Sequence, residues 1–98
     1  MSGFIQIIET HTSRAGDMIE LEAKWAKDTE GRRTLRRSIV TRDRNDPTRN
    51  LVIAFFDDAD SAAVNSALPE TQWIATELAA LSSGEIGFTD LDVISERI

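Results

Sequence analysis

Apolar positions along this chain fall into two spacings. Some run continuously over a strand's length; others recur every three or four residues. Leu51-Val-Ile-Ala-Phe-Phe56 is an unbroken apolar run, as expected of a strand covered on both faces. Phe4–Thr10 reads as strand 1 in the same way, because Phe4, Ile5, Ile7 and Ile8 place apolar groups on both faces. Ala15–Glu30 reads as helix 1. Met18, Leu21 and Trp25 form one row at helical spacing, and Ile19, Ala23 and Ala26 form an adjacent row. Gly31 is placed to supply a left-handed C-terminal cap. Thr34–Asp43 reads as strand 2, poorly alternating and rich in arginine, and Arg44–Asn50 as a turn punctuated by Asn45, Asp46 and Pro47. After strand 3 (Leu51–Phe56), Asp58 or Asp60 can cap an alanine-rich helix. Pro69 suits the first turn of a second helical piece better than a helix interior. Ile74, Leu78 and Leu81 form that piece's buried row, and Ser82-Ser83-Gly84 ends it. Phe88–Ser95 reads as strand 4, with Leu91 and Val93 on one face and Asp90, Asp92 and Ile94 on the other.

The order is strand, helix, strand, strand, broken helix, strand. It predicts an α+β, ferredoxin-like βαββαβ sandwich: a four-stranded antiparallel sheet with two helices on one face. That topology centres strands 1 and 3, which are the apolar ones. Strands 2 and 4, the polar ones, become edges, where charge opposes uncontrolled pairing. The second face of the sheet still carries apolar groups from strands 1 and 3. It therefore predicts a homodimer packed sheet against sheet.

Ninety-eight residues make one domain, 1–98, that buries only about 60–65% of the surface its unfolded chain exposes. The chain has no cysteine, which excludes disulfides and thiolate metal sites. No apolar stretch reaches the roughly 20 residues of a membrane-spanning helix. Met1-Ser-Gly-Phe-Ile-Gln-Ile-Ile8 lacks the basic region of a leader, so the expected location is cytoplasmic and no membrane partner is expected. The formal charge of −6 disfavours nucleic acid. It is unevenly spread. Seven arginines against Asp43 and Asp46 give residues 32–49 a charge of +5, leaving −11 elsewhere.

Three groups of residues are candidates for chemistry. His11, the only histidine, lies two residues after Glu9 and so on the same strand face. The pair either transfers protons or is an ordinary exposed strand end. Trp25 and Trp73 either wall a pocket for a flat hydrophobic ligand or pack as core. The arginines, Arg36 and Arg37 among them, either bind an anion or protect an edge strand through ion pairs. One histidine with scattered carboxylates gives no metal site.

Three segments carry a likeness to a known family: Asp46-Pro47 before strand 3, Phe55-Phe56-Asp57 ending it, and Asn65-Ser-Ala-Leu-Pro-Glu-Thr71 at the helix break. Through them the chain resembles the dimeric α/β-barrel superfamily over nearly its whole length. This superfamily includes antibiotic-biosynthesis monooxygenase-like and stress-responsive small proteins, and the chain looks most like its actinobacterial members. The resemblance implies a dimeric α/β barrel that binds a small hydrophobic or aromatic molecule. The implied chemistry is that of a cofactor-independent monooxygenase or isomerase; on the residue reading above, Glu9 and His11 would be its catalytic residues and Trp25, Trp73 and Arg37 its substrate contacts. The alternative it implies is a non-catalytic dimeric module, stress-related or structural. No cofactor is implied. The asparagine of the haem-degrading members falls near Glu9, and their tryptophan and histidine fall near Asn65 and Ala75, so haem chemistry does not carry over.

Overall fold

The computed structural model describes residues 3–98. Met1 and Ser2, part of the segment read above for a leader, lie outside the described residues. The elements are β1 (Gly3–His11), α1 (Ala15–Asp28), β2 (Arg37–Arg42), β3 (Arg49–Phe56), α2 (Ala59–Ala67), α3 (Pro69–Leu81) and β4 (Gly87–Val93). The strands form one sheet in the order β2-β3-β1-β4, every neighbouring pair antiparallel. This is the expected ferredoxin-like arrangement, with the apolar strands in the middle.

Several boundaries differ from the sequence reading, for local reasons. β2 begins at Arg37 rather than Thr34. Thr34 instead donates its backbone N–H to Asn65 Oδ1 and its hydroxyl to the Ser61 carbonyl, which ties it to α2. Asn50 belongs to β3, fully buried, with Nδ2 donating to the Thr12 and Thr48 carbonyls. α1 stops at Asp28 with Thr29 as its C-cap. Gly31 takes its positive φ of 82° in the turn beyond, where Arg32 N–H bonds the Thr29 carbonyl. Strand 4 ends at Val93, so Ile94 lies outside the sheet and is exposed.

Asp58 is the N-cap of α2, its carboxylate accepting from Ser61 N–H at 2.7 Å. Pro69 opens α3 at its first position, where its missing N–H leaves nothing unsatisfied.

Strand alternation assigns the faces. In β3, buried Asn50, Val52, Ala54 and Phe56 alternate with half-buried Leu51, Ile53 and Phe55. The buried set faces the helices. Met18, Val52 and Leu78 form one core cluster, with Ile8, Leu21, Val40, Ile74 and Leu81 packed around it. Ala54, Phe56 and Ala62 form the other. The Ile19, Ala23, Ala26 row of α1 is not part of either, and Ile19 is 54% exposed. On the opposite face, register brings Ile5, Ile7, Ile39, Ile53, Phe55 and Leu91 together. Among the described residues no helix covers that face.

Candidate functional site

A cleft lies between the helices and the sheet, and its origin is one small side chain. Register places Gln6, Ala54 and Ser38 in a single row across β1, β3 and β2. The next rows carry bulkier groups: Phe4 and Phe56 on one side, Ile8, Val52 and Val40 on the other. The alanine leaves a hollow in the sheet floor between two polar neighbours. Above it sits a cavity of about 90 Å³, walled by Met18 and Trp25 of α1, Ile74 and Leu78 of α3, and Asn65 and Ser66 of α2. A second cavity of about 200 Å³ adjoins it under α3 and reaches Ile86 and Phe88. The two share Gln6, Ile8, Ser66, Thr71, Ile74 and Leu78, so they form one mostly apolar cleft. A few polar groups on apolar walls is the usual make-up of a small-molecule site.

Trp25 is 5% exposed, and its indole N–H donates to Thr71 Oγ1 at 3.0 Å. That bond ties α1 to the start of α3 across the cleft roof. Trp73 lies elsewhere. It is half-buried and absent from both cavity walls, with Lys24 Nζ 5.2 Å from its ring centroid. Its position one residue off the Ile74–Leu78 row turns it sideways from the sheet.

Glu9 and His11 are brought together, with Nε2 of His11 2.9 Å from Oε2 of Glu9. Their strand parity puts them on the open face of the sheet, opposite the cleft. Leu51 and Arg49 are their cross-strand partners there. Arg49 reaches Glu9 Oε1 at 3.1 Å and Asp43 Oδ2 at 3.0 Å, giving a chain of alternating charge along the rim of the open apolar face. Hydrogen bonds from Arg49, then His11, hold the Glu9 carboxyl below its ordinary range. The Asn45 backbone N–H, then Arg49, do the same for Asp43. Arg37 is also on the open face, its guanidinium 5.5 Å from the Phe55 ring centroid.

Most of the other clustered arginines have partners within the chain. Arg32 pairs with Glu70 at 2.6 Å and Arg36 with Asp57 at 2.6 Å. Arg33 bonds the Ala26 carbonyl and lies over Trp25. These contacts match the ion-pair alternative for the basic stretch.

Two cleft residues escaped the sequence reading. Glu22 lies four residues after Met18 and three before Trp25, inside the buried row of helix 1. Gln6 interrupts the apolar run of strand 1 on its helix-facing side. The available signal was a polar residue on an otherwise apolar stripe. Among the described residues no group of three or more histidine, aspartate or glutamate side chains is placed to hold a metal ion. No described helix is long and apolar enough to cross a membrane.

No protein-family model matches the sequence, and no curated protein matches it either. Solved structures do match in fold. A conserved protein from Methanosarcina mazei Go1 superposes with a TM-score of 0.79 at 11% identity, over 93% of this chain and 92% of that one. A structure described as a putative antibiotic biosynthesis monooxygenase from Nitrosomonas europaea gives 0.76 at 11% identity, over 94% and 90%. A variant of SnoaB, a cofactor-independent oxygenase from Streptomyces nogalater, gives 0.68 at 23% identity, over 90% of each chain. The fold is therefore that of the antibiotic biosynthesis monooxygenase-like proteins.

Proposed function

We propose, from the cleft and from a fold shared with proteins named as monooxygenases, that this chain binds one flat, hydrophobic or aromatic small molecule between its helices and its sheet. The reading extends to cofactor-independent oxygenation of that molecule. The observation that carries it is the hollow over Ala54, walled by Trp25 and bordered by polar groups from two strands and three helices. A dry, apolar enclosure with few hydrogen-bonding groups favours exclusion of water around a reacting carbanion or radical. Anthrone is a suitable probe: with dioxygen it gives anthraquinone and water. The expected result is oxygen uptake at one equivalent per anthrone, well above the protein-free rate and with nothing else added. Uptake at the protein-free rate would refute the catalytic part.

A second copy completes this reading. The open face presents Ile5, Ile7, Ile39, Ile53, Phe55 and Leu91 as an apolar centre, with the His11–Glu9–Arg49–Asp43 chain and Arg37 at its edges. An apolar centre with a polar rim is the make-up of a protein–protein interface, and a second copy offers the same face to it. Glu9 and His11 then stand at the dimer seam. Ile53→Lys is expected to convert a dimer to a monomer in sedimentation velocity; a wild-type monomer would refute the assembly.

The reading of a non-catalytic module is favoured by one observation. The cavity beside Trp25 is small, about 90 Å³, and Glu9 and His11 lie outside it. Ligand binding without oxygen uptake is the outcome that reading expects.

A further inference from the structure

α1 directs Met18, Glu22 and Trp25 at the sheet, the three spaced as i, i+4 and i+7. Met18 and Trp25 are 1% and 5% exposed. Glu22 is half-buried and lines the cavity over Ala54. Among the described residues it is the one ionisable side chain on either cavity wall; the others are apolar or carry neutral amides and hydroxyls. A carboxylate set on a core stripe is usually neutralised by a cation. Here it is not: among the described residues Glu22 takes part in no ion pair. Its recorded partner is Ser38, whose hydroxyl donates to Oε1 at 2.5 Å. That bond fixes the carboxylate over the edge of the hollow. A carboxylate offers about four acceptor positions, so Oε2 keeps its capacity for a further donor. Across the hollow, Gln6 is held toward β4 by donating to Asp90 Oδ1 at 3.2 Å.

We infer that Glu22 sets the cleft's specificity, accepting a hydrogen bond from a hydroxyl on the bound molecule. It selects flat ligands of the phenol class over apolar isosteres and rejects carboxylates. The inference rests on the reading that the cleft holds a small flat molecule. A hydroxyl donating to a carboxylate makes a charge-assisted bond, stronger than a neutral one. A ligand carboxylate in the same place would meet a like charge in a poorly screened environment.

Toluene, phenol and benzoate test it: the first two are nearly equal in shape, and the third carries a carboxylate on the same ring. The indole N–H resonances of ¹⁵N-labelled protein report the binding: Trp25 is on the cavity wall, and Trp73, outside it, is the internal control. For the wild type we expect phenol to shift the Trp25 signal at about tenfold lower concentration than toluene, the size of a net charged hydrogen bond, and benzoate to leave it unmoved. Glu22→Gln keeps an acceptor for Ser38 and the same shape. It is expected to bring phenol and toluene within about twofold and to admit benzoate. Equal binding of phenol and toluene to the wild type would overturn the role of Glu22 while leaving the cleft reading intact. A Trp25 signal unmoved by every probe would overturn both. Where Glu22→Gln does not fold, equal binding of phenol and toluene to the wild type, or binding of benzoate to it, still overturns the role of Glu22.

Discussion

Ala54→Val tests the origin of the cleft directly. Ala54 is 6% exposed and central in the sheet, with the void above it. Valine adds two methyl-sized groups, with an upper gain of about 1.6 kcal/mol at ~0.8 per carbon buried. Fixing the new side chain takes back roughly 0.5 kcal/mol. The net expectation is a stabilisation of about 1 kcal/mol, helped by the preference of β-branched residues for strands. For a domain of this size that raises Tm by roughly 4–8 °C. Urea denaturation followed by circular dichroism measures the free energy, and the Trp25 indole shift measures toluene binding in the same preparation. Binding is expected to weaken at least about tenfold, since the methyl groups occupy the ligand's place. Destabilisation by about 1 kcal/mol or more, with toluene binding unchanged, would refute the reasoning: the hollow would then not be where ligands bind, nor free to receive a side chain.

Three further outcomes follow from particular contacts. Asp58→Ala removes the cap of α2 and is expected to cost about 1 kcal/mol in urea denaturation, with Asp58→Asn keeping most of it. His11→Gln is expected to leave phenol and toluene binding to the cleft unchanged, because the sheet separates the two; a loss of binding would show that the open face and the cleft communicate. Glu9, Asp57 and Glu70 are each held below their ordinary range chiefly by an arginine. Their folded forms hold protons less readily than the unfolded chain does. The resulting stability is fully present above the unfolded values, 4.5 for glutamate and 3.8 for aspartate, and is lost as pH falls through the folded ones. Tm is therefore expected to fall on acidification below about pH 4.5. Arg49→Met should lower Tm near neutrality and converge on the wild type in acid; parallel curves would remove Arg49 from the account.

The two central strands were legible because only a strand with two apolar faces reads as Phe4-Ile-Gln-Ile-Ile8 or Leu51–Phe56. The same property hid the position of Glu9 and His11. Alternation says that they share a face, but with both faces apolar it cannot say which one the helices cover. The helix break was legible from Pro69 alone; the cap was narrowed to Asp58 or Asp60, of which Asp58 has the spacing that reaches the Ser61 N–H. Glu22 went unread because apolar rows are found by collecting apolar residues, which discards the polar one standing among them. Strand 2 was drawn too long because Thr34 has strand propensity, while its actual partners, Ser61 and Asn65, come from a helix 27 and 31 residues away.

The break between α2 and α3 has a mechanical side. Leu68 N–H bonds back to the Asn65 carbonyl, in α2, while the Leu68 carbonyl accepts from Thr71 and Gln72, in α3. Its own backbone is extended, at φ −63° and ψ 135°. All hydrogen bonding on one side of the Leu68 Cα belongs to one helix, and all on the other side to the next. Ser66 and Thr71, which flank it, both line the cleft. Two dihedral angles of this single residue thus set the angle between α2 and α3, and a swing of one helix against the other would turn on them. The resistance to that swing comes from side chains: the bond between Trp25 and Thr71, the Arg32–Glu70 pair, and the packing of Ile74 and Leu78 against Met18 and Val52.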